Sequence, residues 1–343
     1  MSSPKPNQAA VLQTAKAKAV LQIRPIPTPG PDEILLRNHA IAANPVDWKI
    51  QDYDFFVDQY PNVLGSDVCG MVVELGDQVS HFKKGDRVTG FAGVIYNSNI
   101  DHGAWQTYTI LKEIAAARIP DFMSFEEGSV FPMAFSTACV GLFDNLKISR
   151  VPAVPGATRD VLLVWGASSS VGSAACQVAK AMGMQVWATA SPSNHEFVKL
   201  MGATKVFDYR DPNVVSEILK AAKTAGVQIT KVFDSISENG SHQLTSEVLA
   251  KGGKGGEMAM VLEGPMDVPK CVETSLVVAS RLGTDCTDLG AWFFNGWLEE
   301  AMEKGLVVSA PKVQVIDGGV GAAQKVFDML KAGVSATKLV VQV

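Results

Sequence analysis

Residues Val161 to Gly172 read Val-Leu-Leu-Val-Trp-Gly-Ala-Ser-Ser-Ser-Val-Gly, and they narrow the possible folds further than any other stretch. Val161 to Trp165 is a short apolar run rich in β-branched residues, the pattern of a parallel strand buried on both faces. Gly166 turns the chain. From Val171 the pattern becomes helical, with Gly172, Ala175 and Ala179 putting small residues on one face so that the helix can lie close to a sheet. A strand, a tight turn of small residues and a helix start together form an anion site. The first helical N–H groups have no partners and carry the positive end of the helix dipole. Such a site suits the pyrophosphate of a dinucleotide. The run is not a strict G-x-G-x-x-G, because Ser168 stands where the second glycine would be. An ordinary strand–helix turn is the competing reading, and context decides between them.

That context is a sustained βαβ rhythm. Val186 to Ala190 reads as a second strand and Val206 to Asp208 as a third, each followed by a helical pattern, which predicts a doubly wound parallel sheet. In NAD-binding versions an acidic residue at the end of the second strand holds the ribose 2′-OH. Here that place carries Ser191-Pro192-Ser193-Asn194-His195, with no carboxylate. A carboxylate would repel a 2′-phosphate, whereas hydroxyl and amide donors can bind one. Lys199, Tyr209 and Arg210 offer charge or a ring to stack on adenine. Ser193 and Asn194 also suit a helix N-cap, a role compatible with phosphate binding. The missing acid points to NADP(H).

At 343 residues and 47% hydrophobic content, the chain has room for two domains with ordinary cores. A net charge of −5 without a basic stripe argues against a nucleic-acid partner. No apolar run approaches a membrane span, and Met1 to Pro6 lacks the apolar centre of a signal peptide, so a cytoplasmic protein is expected. Five scattered cysteines without a C-x-x-C pair read as reduced thiols, with Cys139 and Cys176 as core filler. Residues 1–120 are β-rich, with strand candidates at Val20 to Ile26, Glu33 to Ala43, Gly70 to Leu75 and Asp86 to Gly90. Ser124 to Asn145 reads as helical segments. Near the end, a helix from Val320 to Lys331, a stop at Gly333 and a strand from Lys338 to Val341 return the chain to its first domain. The predicted division is therefore 1–125 with 300–343 for one domain and 126–299 for the inserted nucleotide domain. Two glycine clusters mislead. Lys251 to Gly256 resembles a phosphate loop, but a strand follows it rather than precedes it, and Gly318 to Gly321 reads as a plain helix start.

With this organisation the chain resembles the medium-chain dehydrogenase/reductase superfamily along nearly its whole length. The markers are Asn44-Pro45-Val46-Asp47-Trp48-Lys49, Leu64-Gly65-Ser66-Asp67-Val68-Cys69-Gly70, Lys84-Gly85-Asp86-Arg87-Val88, the 166–172 turn and Ser335-Ala336-Thr337-Lys338-Leu339-Val340. The first and fourth of these look most like the zinc-independent quinone-reductase and enoyl-reductase branch, nearest to fungal trans-acting enoyl reductases. The resemblance implies an α/β architecture of a GroES-like β-rich catalytic domain with an inserted Rossmann domain. Metal-dependent members carry a Cys, a Gly-His-Glu motif and a cysteine cluster. This chain has Asn44 and Val46, Gly65-Ser66-Asp67 and no such cluster, so no metal is expected.

Without zinc to stabilise an alkoxide, the accessible reaction is hydride addition to an electron-poor C=C, whose negative charge spreads into an enolate. The resemblance thus implies NADPH-dependent reduction of an α,β-unsaturated carbonyl or enoyl thioester, with a polyketide synthase in trans as an implied partner. The alternatives are a broad quinone or alkenal detoxifying reductase, and a non-catalytic NADPH-binding scaffold. By the same resemblance, Pro45, Val46, Asp47, Trp48 and Lys49 pass beside the nicotinamide, with Lys49 the first candidate for a catalytic group and Tyr53 the second. Thr137 falls near the carboxamide. Gly166, Ser168, Ser169, Ser170 and Val171 hold the pyrophosphate; Ser191, Ser193, Asn194 and Tyr209 hold the adenosine phosphate. Leu262 ends the strand next to the nicotinamide, and Val334 and Ser335 close over the cofactor. Met133, Phe135, Trp292 and Phe293 line the substrate pocket or serve as core.

Overall fold

Strand Asp160–Trp165 stands inside a six-stranded sheet whose spatial order runs 203–207, 185–189, 160–165, 228–234, 256–260, 272–276, all neighbours parallel. Parallel strands need crossover connections, and helices Ser170–Ala181, Val214–Ala225 and Ser241–Lys251 supply them. Sheet faces covered in this way bury Val161 to Trp165 and Val232 to Asp234 entirely. Trp165 and Trp187, 3% and 0% exposed, are the largest side chains of this core, and burial of a large apolar side chain contributes roughly 1.5–3 kcal/mol. The order reverses between strands 160–165 and Gln228–Asp234, which pair with Trp165 opposite Asp234. A crevice outside the carboxyl ends of the strands at such a reversal is where open α/β sheets bind ligands.

This sheet belongs to one of two compact units into which the chain divides, Thr137–Ala279; the other comprises Met1–Ser136 and Ser280–Val343. The computed structural model describes residues 6–154, 159–263 and 267–343, so the opening run Met1 to Lys5 lies outside the described residues. In the second unit, strand Glu33–Ala42 is central. It pairs antiparallel with Asp67–Leu75, Tyr108–Lys112 and Thr337–Gln342, which makes the C-terminal strand part of a sheet built mainly from the first third of the chain. A separate three-stranded sheet joins Asn7–Leu12 to Val20–Arg24 and Asn62–Val63. Between them Trp105 meets Phe327 of helix Ala323–Ala332 edge to face at 5.3 Å, in a core with Leu36, Ile41 and Val68.

The β-rich first domain, the parallel-sheet domain and the returning C-terminus are all present. The unit boundaries differ from the predicted 125/126 and 299/300. Helix Phe125–Gly128 stays with the β-rich unit because Phe125 stacks on His39 at 4.4 Å and Arg87 lies over its ring. The 287–303 segment stays there too. Glu299 pairs with Arg118 at 2.9 Å, and Asn295 donates to the Ala116 carbonyl at 2.8 Å. Strand Asn7–Leu12 escaped sequence reading, and the strand expected to reach Leu262 is Gly256–Met260, so Leu262 lies beyond its end. Cys139 and Cys176 are buried, and both glycine clusters turn out to be connections: Gly319–Ala322 is a short 3₁₀ turn leading into a helix.

Candidate functional site

At the carboxyl end of strand 160–165 the chain turns through Gly166 in the left-handed region, at φ 76°. Its N–H donates to the Thr189 hydroxyl at 3.1 Å, and the Ala167 N–H donates to the Thr189 carbonyl at 3.0 Å, which hangs the turn on the second strand. A Cβ built on Gly166 would come within 2.2 Å of Ile236, and one on Gly172 within 2.5 Å of the Gly166 carbonyl oxygen. Both positions therefore demand glycine, and the helix start lies tight against the strand end. Ser169 is the N-cap of helix Ser170–Ala181, its hydroxyl accepting from the Gly172 N–H at 3.0 Å. The amides of Ser170 and Val171 lead the helix, where helix geometry gives them no intrahelical acceptor. Residues 168–171 are half-buried and open to a ligand.

Strand Gln185–Thr189 ends beside Phe207, and the Ala190 N–H donates to the Phe207 carbonyl at 3.0 Å. Two segments leave these strands. One carries Ser191, Ser193 and Asn194, the other Tyr209 and Arg210. The Asn194 amide donates to the Ser191 hydroxyl at 3.1 Å, and the Ser193 hydroxyl lies 3.3 Å from it. Tyr209 is 40% exposed, with the Arg210 guanidinium 5.4 Å from its ring centroid. Lys199 is already paired with Glu196 at 2.7 Å. Residues 191–195 offer hydroxyl and amide groups and no carboxylate, while Asp208 and Asp211 flank Tyr209 and Arg210 after the neighbouring strand.

In the β-rich unit, helix Pro45–Tyr53 begins at a buried polar centre. Asn44 caps it, and its own N–H donates to the Asp47 carboxylate at 3.1 Å. The Trp105 indole N–H donates to the same carboxylate at 3.3 Å. Burial pushes the Asp47 carboxyl up to about 7 despite these two donors, because little water reaches it. The Asn44 amide donates to Asp67 at 2.8 Å. The Lys338 ammonium donates to both, at 2.6 Å to Asn44 and 2.8 Å to Asp67, with 3% or less of either charged side chain exposed. The Met133 N–H completes the shell of Asp67 at 2.6 Å. A buried ion pair this well hydrogen-bonded fixes four segments to one another, and removing one partner would leave a charge stranded.

Several predicted site residues are redirected by this geometry. The Asp47 side chain is a buried helix cap, its carboxylate taken up by the Asn44 N–H and the Trp105 indole. The Ser169 hydroxyl is spent on capping. Phe135 and Phe293 are packed as core, Phe135 against Phe131 at 4.8 Å and Phe293 against Trp297 at 5.4 Å. Met133, Trp292, Trp48, Lys49 and Val46 are half-buried, whereas Pro45, Val334 and Ser335 are exposed. Lys49 places its ammonium 5.7 Å from the Trp48 ring centroid. Tyr53 is 64% exposed at the end of the same helix. Thr137 is nearly buried in the unit that holds the parallel sheet.

Sequence reading assigned no role to Lys338, Asp67, Asp234 or Ser235. Asp234 was findable, since it ends the strand across the sheet's reversal point. Its buried carboxylate accepts from the N–H groups of Ile236 and Ser237 and from the Ser241 hydroxyl, the last at 2.6 Å. Burial raises its pKa above the ordinary carboxylate value. Among the described residues, no three His, Cys, Asp or Glu side chains converge as metal ligands, and no helix is long and apolar enough to cross a membrane.

Residues 30–121 match the family model described as alcohol dehydrogenase GroES-like domain, and residues 170–292 match the one described as zinc-binding dehydrogenase. The trans-enoyl reductase tndF of Aspergillus flavipes is 38% identical over 349 residues, which cover 98% of each chain. The trans-enoyl reductase tazE of Aspergillus terreus is 40% identical over 273 residues, 78% of this chain and 88% of the other. Among solved structures, the CurK enoyl reductase shares the fold with a TM-score of 0.76 at 22% identity, over 98% of this chain and 99% of that one.

Proposed function

The chain belongs to the medium-chain dehydrogenase/reductase superfamily, and from that premise we propose that it is an NADPH-dependent, zinc-independent enoyl reductase. Its substrate on this reading is the activated C=C of an α,β-unsaturated carbonyl, an enoyl thioester carried by a polyketide synthase acting in trans. The observation that carries the reading is full-length identity of 38% to a relative named a trans-enoyl reductase.

The residues present fit a dinucleotide. Gly166 and Gly172 leave no room for a side chain, and the leading amides of Ser170 and Val171 are unpaired by helix geometry, an arrangement suited to a pyrophosphate. Gly166, Ser168, Ser170 and Val171 would hold that group, with Ser191, Ser193, Asn194 and Tyr209 at the adenosine phosphate. Pro45 to Lys49, Thr137, Leu262, Val334 and Ser335 would lie toward the nicotinamide end, and Met133 and Trp292 toward the substrate.

A bound reduced nicotinamide supplies the hydride. Lys49 would either donate to the cofactor ribose or steer the substrate, and Tyr53 would be the second candidate, as a proton donor. Negative charge developing on an enolate is spread over several atoms and can be held by a few aimed donors. An alkoxide keeps its charge on one oxygen, which zinc stabilises as a Lewis acid in the metal-dependent branch. The donor set supports the zinc-free reading. Where the metal-dependent branch carries its first ligands, Asn44 and Asp67 hold the Lys338 ammonium, and a cation already fills that place.

The test is isotopic. NADPH deuterated at the transferring position, incubated with an enoyl thioester, should leave deuterium on the β carbon of a saturated product. Label on a carbinol carbon, with the C=C intact, would end the proposal. A kcat/KM for a simple quinone far above that for any enoyl thioester would favour the detoxifying alternative.

A further inference from the structure

We propose that Ser235 is a positioning residue for the pyrophosphate turn, closing a one-way chain of hydrogen bonds that sets the helix start from across the sheet's reversal point. The inference rests on the dinucleotide reading above and adds to it a residue from a different strand.

Proton accounting gives the direction. The Ser235 hydroxyl oxygen lies 2.6 Å from the Trp165 carbonyl oxygen and 3.1 Å from that of Gly166, both of which can only accept. The one hydroxyl proton of Ser235 therefore goes to these carbonyls, Trp165 first. The Ser169 hydroxyl lies 3.2 Å from that of Ser235, so Ser169 must be the donor between them. The oxygen of Ser169 in turn accepts from the Gly172 N–H at 3.0 Å. The chain runs Gly172 N–H to Ser169, Ser169 to Ser235, Ser235 to Trp165. With its proton spent in this way, Ser169 has none to give a phosphate, and the Ser170 and Val171 amides remain the groups that face one.

The same loop shapes the turn sterically. A Cβ on Gly172 would meet the Ser235 hydroxyl oxygen at 2.8 Å, and one on Gly166 would meet Ile236 at 2.2 Å. Ser235 and Ile236 thus form a backstop that requires glycine at both positions. The backstop is itself held. The Ser235 N–H donates to the Trp165 carbonyl at 3.1 Å, and Asp234 accepts from Ile236 and Ser237 at 3.0 and 2.9 Å.

Calorimetric binding of NADPH, NADH and 2′-AMP to the whole protein and its Ser235→Ala variant tests the proposal. 2′-AMP carries no pyrophosphate and reports only the adenosine end. The variant should bind both dinucleotides about tenfold more weakly, in line with loss of a buried hydrogen bond, with their affinity ratio unchanged and 2′-AMP binding unchanged. Dinucleotide binding within twofold of wild type would overturn the proposal, and so would a parallel loss for 2′-AMP, which would mark a general structural role. Ser169→Ala breaks the chain at its middle and serves if S235A does not fold. It should show the same selective loss, and wild-type NADPH affinity in that variant would again overturn the proposal. Wild-type protein that binds 2′-AMP but neither dinucleotide would instead overturn the parent reading, and this inference with it.

Discussion

Ser191 sits where an acidic residue would select NAD, and it is nearly buried beneath the Asn194 amide. The wild-type protein should prefer NADPH to NADH by at least tenfold, about 1.4 kcal/mol. Ser191→Asp should narrow or invert that preference, and equal calorimetric affinities in the wild type would contradict the assignment. Lys49 offers a second test at this scale. If it acts on the reacting substrate, Lys49→Ala should lower kcat by at least tenfold while NADPH affinity changes little. If it holds the cofactor ribose, affinity should weaken and saturated turnover should survive. The positions of Ser168, Ser170 and Ser191 at a turn or strand end were legible in the sequence, because each stands within a few residues of that turn or end. Ser235 was not, because its partner Trp165 lies seventy residues away.

Helix Pro45–Tyr53 shows what an element adds to its residues. Asn44 and Pro45 suit a helix start that escaped sequence reading, and the Asp47 carboxylate is part of the cap, buried with the indole of Trp105. A carboxyl whose folded value is raised from 3.8 to about 7 keeps its proton in the folded state while the unfolded chain loses it. The folded state then binds more protons between those values, so Asp47 makes stability fall as pH rises through that window and stay lowered above it. Asp47→Asn has nothing to titrate. Its melting temperature relative to wild type should therefore climb between pH 5 and pH 7 and level off above. A difference that stays flat across that range would show that the carboxyl titrates normally. The strand ending at Met260, short of Leu262, and the helix Phe125–Gly128, tied to the β-rich unit through Phe125, show where local pattern stops deciding. Element ends are set by the partners that satisfy the last backbone groups.

For the whole molecule, the zinc-free reading predicts that purified protein contains well under one zinc per chain by elemental analysis, and that chelators leave NADPH-dependent reduction intact. Stoichiometric zinc, with activity lost on its removal, would restore alcohol dehydrogenation instead. The amino-acid sequence by itself determined the parallel-sheet domain, the glycine turn at its centre, the missing acid after the second strand and the return of the C-terminus to the first domain. Each of these is written in periodicity or in side-chain type over a dozen residues or fewer, the range over which strand, turn and helix geometry act. Only the tertiary structure decided that Lys338 would neutralise Asp67 and bind Asn44, 271 and 294 positions away along the chain. It also decided that Ser235 would lock the turn, and that Phe135 and Phe293 would be core. The physical reason is burial. A charge or hydroxyl shut away from water must find a partner inside, and which partner it finds depends on which strands close beside one another.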